Sequence, residues 1–259
     1  MTPRDLFVTA AASLASLTFG ACGASEPDED AGGPSVLPVC GLPSLAHGVA
    51  LARPSQCGPT LDFTPINQYT GGFAGAQQRE DAVALLTVSC TGTLIEATAG
   101  PVVLTAGHCA RLGDQLQIAF NVEDAPDGDQ LFTTGEVIER AEEPDYALIA
   151  LDQLPAVTPT PLTTRSSARL AVIQHPRGMR KVIAEGDFLE ACAPLFIYGD
   201  LDTLEGSSGA GVLTSTGYLF GIHTDGNCDE DGGGANVGWT AAAIVEASAY
   251  LVPADLADR

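Results

Sequence analysis

From residue 82 onward the chain is a series of short apolar runs cut apart by Gly, Asp and Pro, and that punctuation calls for strands joined by turns. Runs such as Ala82-Val83-Ala84-Leu85-Leu86-Thr87-Val88 and Leu116-Gln117-Ile118-Ala119-Phe120 have strand length and composition. The pattern predicts an all-β fold of barrel type. Ahead of it, residues 25–74 are rich in Pro, Gly and Ser with little periodicity, which predicts a tether followed by an irregular extension. Residues 240–251 have helical composition and predict a terminal helix. With 259 residues and 45% hydrophobic content, the chain can bury a sizeable core in one or two domains.

Three stretches in this pattern carry chemistry: Thr105-Ala106-Gly107-His108-Cys109, Asp145-Tyr146-Ala147-Leu148 and Gly206-Ser207-Ser208-Gly209. A serine hydroxyl is a poor nucleophile at neutral pH and needs a base to take its proton as it attacks a carbonyl carbon. An imidazole, titrating near pH ~6.5, suits that task. A carboxylate then holds the imidazole in the useful tautomer and stabilises the imidazolium that forms. These needs assign Ser208 as nucleophile, His108 as base and Asp145 as the orienting carboxylate. Gly206 can take backbone angles that bulkier residues resist, so its N–H and that of Ser208 can converge on a developing oxyanion, worth about 2.7–4 kcal/mol per donor. Each stretch alone reads as an ordinary loop or strand start. Their occurrence in this order, each beside an apolar run, makes the catalytic reading the stronger one, and His47 and His175 are read as structural.

The N-terminus reads as an export signal, with Arg4 ahead of an apolar run over residues 6–21 that is too short to span a bilayer as a helix of ~20 residues. Residues 1–21 are therefore expected to be removed. Leu17-Thr18-Phe19-Gly20-Ala21-Cys22 resembles a bacterial lipoprotein box, in which Cys22 carries the lipid; cleavage just after Cys22 is the competing reading. The charged run Ser25-Glu26-Pro27-Asp28-Glu29-Asp30 suits a tether. The chain is thus expected in a bacterial cell envelope as a lipoprotein, or secreted. Setting Cys22 aside, six of the seven cysteines remain, Cys40, Cys57, Cys90, Cys109, Cys192 and Cys228, an even number that fits an oxidising compartment and allows fifteen pairings.

Cys90-Thr91-Gly92-Thr93-Leu94-Ile95, followed by Val103-Leu104-Thr105-Ala106-Gly107-His108-Cys109, resembles the first-barrel signature of the trypsin-like (chymotrypsin-fold) serine peptidases. Asp202-Thr203-Leu204-Glu205-Gly206-Ser207-Ser208-Gly209 and Gly221-Ile222-His223-Thr224 resemble the second barrel, more closely in the bacterial V8-like, glutamyl endopeptidase branch than in digestive trypsins. The stretch from Gln174 through His175-Pro176 to Lys181 is similar to a His-Pro-x-Gly-x-x-Lys stretch of that branch. The resemblance covers residues 75–250. It implies a peptidase domain over 75–259 built of two antiparallel six-stranded β-barrels, at about 75–157 and 166–238, with the active site between them and a C-terminal helix at about 240–251. Residues 155–161 would cross from one barrel to the other, and residues 22–74 would form the tether and extension. It also implies disulfides Cys90–Cys109 at the histidine loop and Cys192–Cys228 near the specificity pocket, leaving Cys40–Cys57 in the extension. Asp202, Thr203, His223, Thr224 and Gly226 are the implied substrate-binding residues. A substrate Glu would be drawn by Thr203 and a His223 imidazolium, with Asp202 turned away; an Asp202 facing the pocket would instead select Arg or Lys. Ser207 stands where animal trypsins have an aspartate, and no Ile-Val-Gly-Gly start is present, so trypsin-style activation is not implied. Gly211 replaces the proline that follows Ser-Gly-x in the family.

The expected function is a serine endopeptidase acting on proteins or peptides, with a Glu preference and no cofactor. A formal net charge of −22 argues against nucleic acid or anionic lipid as a partner, leaving the N-terminal lipid as the one route to a membrane. The acidic run over residues 121–129 does not match the calcium helix–loop–helix spacing and reads as a solvated turn, so no metal is expected. The alternatives are a non-catalytic binding module on the same fold and a lipase or esterase, the latter disfavoured because a Gly-x-Ser-x-Gly elbow is missing around Ser208.

Overall fold

The apolar runs close into two rings of six strands each. The structure, a computed structural model, describes residues 55–257, so the predicted signal, the start of the tether, Cys22, Cys40 and His47 lie outside the described residues. The first ring contains β1 (Val83–Leu86), β2 (Cys90–Ile95), β3 (Val102–Thr105), β4 (Gln115–Phe120), β5 (Leu131–Glu142) and β6 (Asp145–Leu151). They pair antiparallel in the order β1-β2-β3-β6-β5-β4, and β4 closes on β1. The second contains β7 (Arg169–Gln174), β8 (Val182–Cys192), β9 (Leu195–Gly199), β10 (Gly211–Thr214), β11 (Leu219–Asp225) and β12 (Asn236–Thr240). Their antiparallel order is β10-β7-β8-β9-β12-β11, closed by β10 on β11. The two six-stranded barrels implied by the resemblance are therefore present.

Strand periodicity explains how the barrels join. Successive side chains on a strand point to opposite faces. On β3, Val103 packs inside the first barrel while Val102 and Leu104 face a second core; on β6, Ala147 and Ile149 alternate with Tyr146 and Leu148 in the same way. That second core also receives Ala171 and Ile173 of β7, Leu213 of β10 and Trp239 of β12. Alternation on β7 sends Leu170 and Val172 into another cluster with Phe196, Tyr198 and Val212.

Three short strands attach to the second barrel only. Thr64–Pro65 runs antiparallel to β8, Leu162–Thr163 parallel to β11, and Leu256–Ala257 parallel to Leu162–Thr163. The terminal helix spans Ala241–Ala247, shorter than the 240–251 expected. It begins where Thr240 Oγ1 accepts the Ala243 N–H at 3.2 Å. It stops because the Glu139 carboxylate draws the chain away, accepting the Ser248 hydroxyl and the Ala249 and Tyr250 amides at 2.9–3.2 Å. Among the described residues, no helix is long and apolar enough to cross a membrane.

Two expectations need correction here. The extension is not simply irregular: from Ser55 it is docked, with Ile66, Tyr69 and Phe73 buried in the shared core. The acidic run 121–129 is only partly solvated, because Asn121 and Glu123 turn inward. Glu123 lies 3.2 Å from the fully buried Lys181 ammonium, which also bonds the Glu80 carboxylate. A buried ammonium is tolerable only when paired in this way, and it supplies the positive charge among the Glu80, Glu123 and Asp127 carboxylates, which lie within 4.8 Å of one another.

Candidate active site

His108 sits in the short 3-10 turn Gly107–Cys109 that follows β3, and Asp145 opens β6, the strand paired with β3. The pairing brings residues 37 apart in sequence into contact. Asp145 Oδ1 accepts the His108 backbone N–H at 2.9 Å, and Oδ2 lies 2.7 Å from His108 Nδ1. A carboxylate can only accept, so Nδ1 carries the proton and Nε2 of the neutral ring is left as the basic nitrogen. The bond to Asp145 raises the His108 pKa above its ordinary value against the opposing effect of burial, and Asp225 adds to the rise. Arg140 Nε holds the Gly107 carbonyl at 2.8 Å, fixing the turn from β5.

Ser208 lies on the loop between β9 and β10, in a turn framed by two glycines at positive φ, Gly206 at +94° and Gly209 at +82°. Neither position has room for a side chain. A Cβ on Gly206 would fall 2.7 Å from Arg177 N, and one on Gly209 would fall 2.1 Å from Thr105 Oγ1 and 2.6 Å from Ala106 N. Gly209 therefore presses the serine turn against the chain just before His108. The Cys109 sulfur is 3.9 Å from the Ser208 carbonyl, a contact and not a hydrogen bond because that sulfur is oxidised. Among the described residues, no acceptor is bound by the N–H of Gly206 or of Ser208.

Thr91, quoted in the sequence but given no role there, ties the parts together. Its amide donates to the Ser208 carbonyl at 3.0 Å, its hydroxyl donates to the Gly206 carbonyl at 2.8 Å, and it accepts the His175 amide at 3.0 Å. His175 is buried and holds the Met179 carbonyl through Nδ1 at 3.0 Å; burial pushes its pKa down to about 4. The Pro176–Gly178 turn that follows supports the serine turn through Arg177, whose amide donates to Glu205 O at 2.5 Å.

The residues implied as substrate-binding divide. Asp202 is buried, and its two oxygens accept the amides of Cys57 at 2.7 Å and Asp62 at 2.5 Å. Thr203 Oγ1 donates to Asn236 Oδ1 at 3.2 Å. His223 is buried with its Nδ1 2.5 Å from the Tyr198 hydroxyl, and burial together with nearby His108 lowers its pKa to about 3. The imidazolium expected there is therefore not available near neutral pH. Thr224 is buried, its hydroxyl without a hydrogen-bond partner among the described residues, and Gly226 lies under Ser55. Tyr198, Asn236 and Ser55 carried no local signal in the sequence.

Cys90–Cys109 is bonded as expected. The other pairings are corrected: Cys57 bonds Cys228, which rules out both Cys192–Cys228 and Cys40–Cys57, and Cys192 is itself disulfide-bonded. The reason is the docking of the extension, which carries Cys57 to the β11–β12 loop instead of leaving it in a small loop of its own.

Comparison with known proteins matches residues 90–222, just over half of the chain, to the family described as trypsin-like peptidase domain. No curated protein matches the chain in sequence. Similar solved structures include the Rv3671c protease of M. tuberculosis H37Rv in an inactive form, at 16% identity and a TM-score of 0.52, covering 67% of this chain and 90% of that one. The serine endoprotease from Yersinia pestis is 15% identical with a TM-score of 0.54, covering 69% of this chain and 65% of that one. At such identities the likeness is one of fold.

Proposed function

Because the chain belongs to the trypsin-like peptidase family, we propose that it is a serine endopeptidase working through His108, Asp145 and Ser208. The observation that carries this reading is the His108–Asp145 pair, which leaves Nε2 as the free base on the turn that packs against Ser208. In the proposed reaction Ser208 Oγ attacks the peptide carbonyl while His108 Nε2 takes its proton. The oxygen that becomes negative is met by the Gly206 and Ser208 N–H groups. The imidazolium then protonates the leaving amine, and the acyl-enzyme is hydrolysed by a water activated at the same nitrogen. Asp145 stabilises the imidazolium that forms.

The expected Glu preference drew on a charged His223, and a basic preference drew on Asp202 facing the substrate. With His223 held neutral and both Asp202 oxygens occupied, neither charge reaches the substrate, which favours an uncharged side chain before the scissile bond. A fluorophosphonate probe, which needs only an activated serine, tests the core of the proposal. The wild type should label and Ser208→Ala should not, with peptide turnover falling about 10⁶-fold and the circular dichroism spectrum unchanged. Full peptide cleavage by that variant would refute the assignment.

We also propose export, with Cys22 as a lipid attachment point. The observed disulfides Cys57–Cys228 and Cys90–Cys109 support an oxidising compartment. The mass of the mature N-terminal peptide checks this: an unmodified start beyond residue 22 removes the lipid.

A further inference from the structure

In the reaction proposed above, the acyl carbonyl would lie over Ser208 with its oxygen toward Gly206, and the side chain of that residue would be directed between the two segments flanking the serine turn, residues 202–206 and residues 223–226. The second of these segments is tied to the serine turn itself, where the Gly209 amide donates to His223 O at 2.8 Å and the His223 amide to Ala210 O at 2.9 Å. The extension runs into that space. Ser55 pairs with Thr203, accepting its amide at 3.1 Å, and the Ser55 side chain lies directly over Gly226. A Cβ on Gly226 would fall 1.3 Å from Ser55 Oγ and 2.2 Å from Ser55 Cβ, so the serine fills the volume that a side chain at 226 would take.

We propose that Ser55 is a specificity-determining residue of the site, a wall supplied by the extension that limits the residue before the scissile bond to Gly, Ala or Ser. The inference rests on the peptidase reading and deepens it. The wall is fixed and not a removable plug, because Asp202 is fully buried and both its oxygens depend on the extension's amides at Cys57 and Asp62. Lifting the segment would orphan a buried carboxylate. It is held further by the Cys57–Cys228 disulfide and by Gly58, whose amide donates to Asp229 O at 3.0 Å. Beneath it, Thr203, His223 and Thr224 are all buried, which leaves little depth for a long side chain.

The test is a set of p-nitroanilide peptides ending in Gly, Ala, Ser, Leu, Glu and Arg, assayed with the full chain beside fluorophosphonate labelling. The wild type should cleave after Ala or Ser at least about tenfold faster than after Leu, Glu or Arg. Ser55→Gly should raise cleavage after Leu relative to Ala by about tenfold, and Ser55→Val, which thickens the wall without touching the backbone bonds, should shift preference from Ala to Gly by a similar factor. Equal cleavage after Ala and any long side chain in the wild type, or unchanged ratios in both variants, overturns the proposal. So does a wild type that labels yet cleaves no peptide until Ser55 is changed, which would make the segment a plug. Absence of labelling in the wild type overturns the peptidase reading itself, and this one with it.

Discussion

The two barrels contribute to the proposed site on different terms. The first supplies His108 and Asp145 from the turn after β3 and the start of its neighbour β6, with that turn bonded by Arg140 of β5 and stapled by a disulfide that spans 19 residues. The second supplies Ser208, but its serine turn leans on the His175–Arg177 segment, and the surface beside it is completed by the extension through a disulfide spanning 171 residues. A base and its carboxylate need a short rigid link, and neighbouring strands give one. A nucleophile with a recognition surface needs several loops at once, and those loops come from remote parts of the chain.

The largest effect expected on the first-barrel side comes from Asp145→Asn. The amide can leave the imidazole in the wrong tautomer, so turnover should fall about 10⁴-fold while the fold is kept. The same substitution removes the main cause of the raised His108 pKa. The acid limb of kcat/KM should therefore lie above pH ~6.5 in the wild type and move down in the variant. An acid limb that does not move would show that Asp145 does not govern the base.

The disulfides sharpen the contrast. Chain-entropy reasoning gives about 5 kcal/mol for the long closure and about 3 kcal/mol for the short one. Replacing Cys57 and Cys228 by Ser should thus lower the urea midpoint more than replacing Cys90 and Cys109. The second pair, one residue from His108, should cost more in labelling rate. If the same pair dominates both measurements, the division of labour between the barrels is wrong.

A further contrast is a pH dependence of opposite sign in the two barrels. His175 and His223, both in the second, are held neutral when folded, with pKa values of about 4 and about 3, whereas the unfolded chain takes up these protons near pH ~6.5. Their contribution to stability is complete above pH ~6.5 and is lost as pH falls toward 4 and below, by at most about 1.4 kcal/mol per pH unit for each. His108 has a raised pKa, so its contribution is present below pH ~6.5 and fades as pH rises through the folded value. Denaturation midpoints between pH 7 and 4.5 should fall on acidification, showing the buried pair to outweigh the half-exposed His108; a rise would reverse that ranking.

The barrels, the meeting of His108 with Asp145 and the glycine-framed turn at Ser208 were legible because strands, turns and glycines are encoded locally. Thr105 to Cys109 and Asp145 to Leu151 announce both the strand and the residue at its end. The Cys57–Cys228 bond was not legible, since nothing near Cys57 says which distant loop it meets. His223 showed the limit of reading residue type alone: an imidazole signals possible charge, but only its burial beside Tyr198 decides that it has none. Glu123 makes the same point from the other side, as an acidic residue in an acidic run that serves a buried lysine.

Thr91 bears on how modular this molecule is. Its amide and hydroxyl reach from β2 of one barrel to the carbonyls of Ser208 and Gly206 in the other, so a first-barrel residue sets the register of the proposed nucleophile against the proposed base. A chimera that took its first half from one such chain and its second from another would inherit a folded pair of barrels. It would inherit a working alignment only if that single hydroxyl met a turn of the same shape.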